Sequence, residues 1–245
     1  QAAQSLRLES DIRRGISNKE FVVYYQAKVA MPTGSLVGYE ALLRWQDPIE
    51  GLVSPIVFID TAEKTGSIVQ IGLLVLEIVC QQIQTWSKHH STVVPVAINV
   101  SPQQLKQPTF YHDVVRLLSD YDIPVELIEF EITEGVVMEN MSICLGHLRR
   151  LKSRGHKIYI DDFGTGYSSL AYLQKLPIDV LKIDQSFVTN LYSDTDQQSI
   201  VKSIIDLALN LELDLVAEGV EDSETANYLM MLGCNVAQGY HYARP

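Results

Sequence analysis

Apolar residues recur along this chain in two rhythms. Short runs that alternate apolar with polar residues, or are apolar almost throughout, predict strands at 21–28, 36–42, 94–100, 127–133, 157–161, 180–183, 214–217 and 235–238. Between most of them, apolar positions return at three- and four-residue spacing. That period predicts helices over 68–88, 110–120, 143–154, 197–211 and 223–232. Ser54-Pro55 marks a further helix start, a capping residue followed by proline at the first helical position. Residues 1–18 read as an amphipathic helix, with Leu6, Leu8, Ile12 and Ile16 set among charged positions. The longest apolar stretch, from Ile68 to Cys80, is interrupted by Gln70, Gly72 and Glu77. It reads as a buried helix, short of the ~20 apolar residues that span a bilayer.

Eight strands alternating with helices in 245 residues predict an α/β chain closed into a TIM-like (β/α)8 barrel. Only Met31-Pro32-Thr33-Gly34 separates the first two strands, too little for a crossover helix. The first strand is therefore expected to run antiparallel to the rest. The expected division is a linker helix at 1–18 and the barrel at 19–245. A start at Gln1 rather than methionine fits a piece of a longer protein, with the helix leading in from upstream.

The charge balance narrows the function. Thirty acids against nineteen bases give a net charge of −11. A protein that tracks a nucleic-acid polymer needs a basic surface to displace counterions, so that class is excluded. A small anionic ligand whose charge is met locally by a metal ion remains open. Cys80, Cys144 and Cys234 are odd in number, lie in apolar surroundings and lack metal-ligand spacing. They read as reduced core residues of a cytoplasmic domain that makes no membrane contact. The six histidines, His89, His90 and His156 among them, read as solvated or loop residues, and Tyr24, Tyr25 and Tyr39 as barrel packing.

In such a barrel the carboxyl ends of the strands face the active-site mouth. Reading those ends in order gives Glu40, Asn99, Glu131, Asp161-Asp162, Lys182 and Glu218. Strand alternation supports the placement: in 128–133 the aliphatic and aromatic residues take one face, while Glu129 and Glu131 take the other. Glu129 is expected inside the barrel below Glu131, in a buried salt bridge. Several unpaired carboxylates in a barrel mouth would be prohibitive, so they must carry protons or share cations. Oxygen ligands alone suit Mg²⁺ or Mn²⁺, and such a cation among carboxylates serves phosphoryl chemistry. Any one of these acids reads equally well as a helix cap or ion-pair partner; the set on one face carries the signal. Asp162-Phe163-Gly164 is also a kinase tripeptide, but the glycine-rich phosphate loop and His-Arg-Asp of a kinase are missing.

These blocks resemble, in order, those of the EAL domain family. They are Tyr39-Glu40-Ala41-Leu42-Leu43-Arg44-Trp45, Ile98-Asn99-Val100-Ser101-Pro102, Phe130-Glu131-Ile132-Thr133-Glu134, Asp161-Asp162-Phe163-Gly164-Thr165-Gly166-Tyr167-Ser168-Ser169, Lys182-Ile183-Asp184-Gln185-Ser186-Phe187, Ala217-Glu218-Gly219-Val220-Glu221 and Gln238-Gly239-Tyr240. The resemblance implies hydrolysis of cyclic di-GMP to linear pGpG with one or two Mg²⁺ or Mn²⁺ ions. By the family pattern Glu40, Asn99, Glu131 and Asp161 would ligate a metal, and Asp161 would bridge to a second ion held with Asp162 and Glu218. Lys182 matches the catalytic lysine, and Glu218 is the candidate base, its roles as base and ligand unseparated. Gln26, Leu42, Arg44, Asp162 and Gln238 would contact substrate, and Glu134 would steady the loop after Asp162. Ala27, Asp47 and Asp60 depart from the pattern, at positions that bear on loop geometry and substrate affinity rather than chemistry. The resemblance further implies a homodimer and an upstream regulatory or cyclase-like domain. The rival reading is a catalytically silent receptor for cyclic di-GMP; such receptors usually lack a strand-end acid or the lysine. A scaffold for a protein or RNA partner fits the full set of acids poorly.

Overall fold

The computed structural model describes residues 2–133, 141–165 and 173–245. Its strands are β1 (Phe21–Ala30), β2 (Ser35–Asp47), β3 (Gly51–Val53), β4 (Val96–Asn99), β5 (Ile128–Thr133), β6 (Ile158–Phe163), β7 (Val180–Ile183), β8 (Asp214–Ala217) and β9 (Val236–Ala237). The helices are α1 (Ala2–Ser17), α2 (Pro55–Thr65), α3 (Ser67–His89), α4 (Pro102–Leu105), α5 (Phe110–Asp120), α6 (Met141–Arg154), α7 (Gln185–Val188), α8 (Thr195–Asn210) and α9 (Ser223–Leu232). β2 and β4 to β9 form a parallel run, and β1 closes the ring by pairing antiparallel with both β2 and β9. The result is the eight-strand barrel expected, with its first strand antiparallel, and β3 is a short addition to the far edge of β2.

Strand limits differ from the expected ones where polar residues do structural work. β2 runs five residues beyond 42, because Asp47 accepts the backbone N–H groups of Ile49 and Glu50 and folds the chain back so that β3 pairs beside Trp45. β4 begins only after Pro95, which lacks a ladder donor. Two one-turn helices escaped the hydrophobic pattern because side chains define them. Ser101 and Gln104 form a capping box at α4, and Asp184 accepts from the Ser186 N–H at α7.

Alternation along each strand sorts the core into two layers. Ile128, Phe130 and Ile132 of β5, with Leu181 and Ile183 of β7, join the apolar shell beneath the helices. The opposite face points to the barrel axis, where Tyr159, Val180 and Val216 make a small separate cluster. α3 is long and apolar enough by composition to cross a membrane, yet Ile71, Val79, Cys80 and Ile83 bury it against the barrel. Tyr25 and Tyr39 meet Trp86 of this helix, each with ring centroids 5.1 Å away, in packing contacts. All three cysteines are buried, and none is joined in a disulfide.

The histidines are a correction. His147 and His156 are buried, not solvated. The His156 Nδ1 lies 2.9 Å from the Ile128 carbonyl, and its ring packs against Phe130 with centroids 5.2 Å apart. Burial lowers its pKa, so it sits in the core as a neutral imidazole.

Glu129 does form a buried ion pair. Its partner is Lys28, 101 residues earlier, whose Nζ lies 3.0 Å from Oε2 and 4.2 Å from the centre of the Tyr159 ring. Removing one member leaves a buried charge uncompensated. Lys28→Met should therefore cost about 3–5 kcal/mol in urea unfolding. The double variant Lys28→Met/Glu129→Gln should recover more than half of that loss, and additive losses would dismiss the pairing.

Candidate active site

Each strand of the parallel run, or the residue just after it, hands at least one polar group to the mouth of the barrel. Lys182, near the end of β7, is fully buried. Its Nζ lies 2.6 Å from Glu131, 2.7 Å from Glu218, 3.2 Å from Asp161 and 3.3 Å from Glu40. Asn99 donates to Glu40 at 2.8 Å, and the Gln238 amide donates to Glu40 at 2.5 Å and to Glu218 at 3.3 Å. Sequence pattern did not suggest that Gln238 links two of the acids.

Asp161 and Asp162 are adjacent in sequence, and adjacent residues of a regular strand face opposite ways. The β6–β7 register breaks between Ile160 and Phe163, and Asp162 takes a left-handed backbone with φ of 54°. Asp162 N–H also donates to the Asp161 carboxylate at 2.9 Å. This irregularity re-aims the second carboxylate, a common use of bulges beside active sites. As a result two acidic groups share one residue: Glu40, Glu131 and Asp161 form one, and Asp161, Asp162 and Glu218 the other. Glu134, expected to steady the following loop, lies outside the described residues, as do Gly166 to Ser169 of that loop.

The carboxyls differ in their hold on protons. Burial opposes the charge of Glu40, but Lys182, Gln238 and Asn99 outweigh it and bring the pKa down to about 2. Burial and the Glu40 charge push Glu131 up to about 8, against the pull of Lys182 and Lys28. Burial likewise raises Glu218 to about 7, and burial with Asp161 and Asp184 raises Asp162 to about 6. Lys182 loses by burial but gains more from Glu131, Glu40, Glu218 and Asp161, so it stays charged.

One ammonium cannot balance this set, and the residues fit a divalent cation. The Glu131 Oε1 and the Gln238 Oε1 are buried without a hydrogen-bond partner. Both are hard oxygen donors among carboxylates, the ligand type that Mg²⁺ and Mn²⁺ accept. Beside the cluster opens a cleft of about 590 Å³, lined by Gln26, Glu40, Leu42, Arg44, Glu218 and Gln238 among others. Strand parity carries Glu40, Leu42 and Arg44 to the same side of β2. The Arg44 guanidinium lies 5.6 Å from the Tyr24 ring centre.

The model of the EAL domain matches residues 9–245. The bifunctional diguanylate cyclase/cyclic di-GMP phosphodiesterase MucR of Pseudomonas aeruginosa is 40% identical over 244 residues, covering 100% of this chain and 36% of that protein. The cyclic di-GMP phosphodiesterase PdeR of Escherichia coli is 35% identical over 240 residues, covering 98% of this chain and 36% of that protein. Among solved structures, the PaMucR phosphodiesterase in complex with c-di-GMP superposes with a TM-score of 0.91 at 40% identity, covering 98% of this chain and 97% of that one. The chain thus spans little more than a third of the length of these two curated relatives.

Carboxyls that hold protons at neutral pH must give them up to ligate a metal. Titration with Mn²⁺ at pH 7 should release protons, read by calorimetry in buffers of different ionisation enthalpy. Because Glu131 and Glu218 sit near 8 and 7, affinity should weaken as the pH falls from 8 to 6. A pH-independent affinity without proton release would remove these two groups from the ligand set.

Proposed function

The chain belongs to the EAL domain family, and from that premise we propose that it hydrolyses one phosphodiester of cyclic di-GMP to linear pGpG. The observation that carries this reading is the fully buried Lys182 held by four strand-end carboxylates at the side of a cleft that also contains Arg44. Glu40, Asn99, Glu131 and Asp161 would hold one Mg²⁺ or Mn²⁺, and Asp161, Asp162 and Glu218 a second. Bound metal supplies Lewis acidity and lowers the pKa of a coordinated water toward neutrality.

The chain's own residues do the remainder. Arg44 offers a planar fork of N–H donors to a phosphate, which a lysine could not match in geometry. Gln26 and Gln238 would add hydrogen bonds, and Leu42 would meet a base. Lys182 keeps its charge and orients the water through its N–H groups. Glu218, with a carboxyl near 7, can take the proton that this water loses. Water oxygen bonds to phosphorus as its proton passes to Glu218, the bond to the 3′ oxygen breaks, and that oxygen leaves as an alcohol with a proton taken from solvent, to which Glu218 returns its own. Linear pGpG keeps the phosphate on its 5′ side.

The reading extends to a cytoplasmic homodimer within a longer protein that carries an upstream regulatory or cyclase-like domain. The bifunctional relative, by its name and its greater length, supports the longer protein with a cyclase-like domain.

Purified protein with cyclic di-GMP should yield pGpG by chromatography in Mg²⁺ or Mn²⁺ and none in EDTA. Tight binding with no product under any metal would favour the silent receptor. Glu40→Ala should lower turnover by roughly 10³-fold or more, as loss of strong electrostatic stabilisation does; normal turnover would end its assignment as a ligand. Lys182→Ala should depress kcat far more than it raises KM. A collapse of affinity with kcat intact would make Lys182 a binding residue instead.

A further inference from the structure

Arg44 stands three residues before Asp47, one of the three positions set apart above as departures from the family pattern. The two point to opposite sides of β2, Arg44 toward the mouth and Asp47 outward with Trp45. That outer side is gripped by α1. Ile12 of this helix is fully buried in the core, and a Cβ added at Gly15 would lie 3.0 Å from the Trp45 Nε1 and 3.2 Å from the Phe21 ring. Helix and strand are therefore in direct packing contact, close enough that even a methyl group at Gly15 would press on Trp45 and Phe21.

Polar contacts fix the same join. Arg14 of α1 pairs with Asp47 through Nη2 at 2.5 Å, with Asp11 through Nη1 at 2.6 Å and with Glu20 through Nε at 3.4 Å. Glu20 in turn accepts from the Trp45 Nε1 at 3.0 Å, and its carbonyl accepts from the Gln46 N–H at 2.7 Å. Asp47, held by Arg14, accepts from the Ile49 and Glu50 N–H groups at 2.7 and 2.8 Å and sets the turn into β3. Every residue from Trp45 to Asp47 is thus tied to α1 or to Glu20 just beyond it, while the Arg44 backbone pairs with Val22 of β1 and its side chain, among the described residues, meets the Leu43 carbonyl at 2.8 Å and the Tyr24 ring. The outward side chains of the strand end are anchored to α1 and Glu20, whereas the inward arginine side chain extends beside the cleft.

We propose that Arg14 and Asp47 are a positioning pair that acts through the end of β2 to hold Arg44 in place for an anionic substrate. The pair touches neither the acidic cluster nor the reacting atoms. It rests on Arg44 meeting the substrate phosphate, as in the reading above. The consequence is specific: disturbing the pair weakens binding of the substrate and spares the chemistry, the signature of lost uniform binding.

Arg14→Gln should raise KM for cyclic di-GMP by roughly three- to tenfold, the size of coupling expected through packed neighbours. Its kcat and its Mn²⁺ affinity, measured without substrate, should stay near wild type. Arg14→Lys, which keeps a cation beside Asp47, should restore most of the KM. An unchanged KM in Arg14→Gln, a loss confined to kcat, or an Arg14→Lys variant as impaired as Arg14→Gln would overturn the proposal. Should the wild type fail to hydrolyse cyclic di-GMP, the functional reading is what has failed, and amide hydrogen exchange then decides on the pair. Faster exchange over 44–47 in Arg14→Gln, with β5 to β8 unchanged, upholds it; unchanged exchange over 44–47 overturns it.

Discussion

An ammonium group shut away from water among four carboxylates constrains everything around it. Alone, the Lys182 charge or any one of its partners would carry a desolvation penalty of several kcal/mol, which only close and well-placed partners offset. Those partners come from β2, β5, β6 and the residue after β8, so the cluster exists only if all these strands keep their register. A slip of one residue in any of them would turn its acid toward the apolar shell and bring a neighbouring residue to the axis in its place. The polar axis and the helix-covered shell are therefore two outcomes of one alternation. The closing pair of β1 with β9 is short, at two residue pairs. The ring is completed mainly by the long β1–β2 hairpin, whose second strand delivers Glu40 and Arg44.

The same cluster is out of balance by design of its composition. Glu40 is held ionised, whereas Glu131 and Glu218 are pushed toward protonation by burial and by their neighbours. A set of acids with such unequal proton affinities is poised to exchange protons for a cation. It also provides, within a few ångströms, one group that stays charged and one that can receive a proton near pH 7. Unequal environments around chemically similar groups are how a single site acquires separate acid, base and ligand roles.

Most of this was legible in the sequence because period-two alternation is strict where one face of a strand is buried. Glu129 and Glu131 between Ile128, Phe130 and Ile132 could point only to the axis. What was not legible depended on contacts between distant residues or on broken periodicity. Lys28 is a lone cation in an apolar strand, and nothing local names Glu129 as its partner. Asp161 and Asp162 could not both reach the mouth from a regular strand; the register break and the positive φ of Asp162 reconcile them. Asp47 fell outside the strand expected at 36–42, because what it does there is bind the backbone ahead of it. His156 looked like a loop residue because it follows Gly155, yet the turn carries it into the shell, where the Ile128 carbonyl meets it.

Volume does not separate the two ends of the barrel. A hollow of about 620 Å³ opens at the opposite end from the mouth, lined by residues at or before the strand starts such as Pro95, Lys157, Val180 and Asp214. It is slightly larger than the cleft beside the acids. At its inner end Lys28 and Glu129 neutralise each other beside Tyr159, with Val180, Val216 and Val236 around them. That end has little uncompensated charge with which to attract or activate an ionic ligand. At the mouth, acids outnumber the single lysine, and a buried Glu131 oxygen has no hydrogen-bond partner. The other end of that lysine pairing is telling too: Lys28 reaches Glu131 only at 3.8 Å, so the lower pair supports the upper cluster without satisfying it. The excess of negative charge, rather than the space available, distinguishes the candidate site at one end of the axis from the neutralised ion pair at the other.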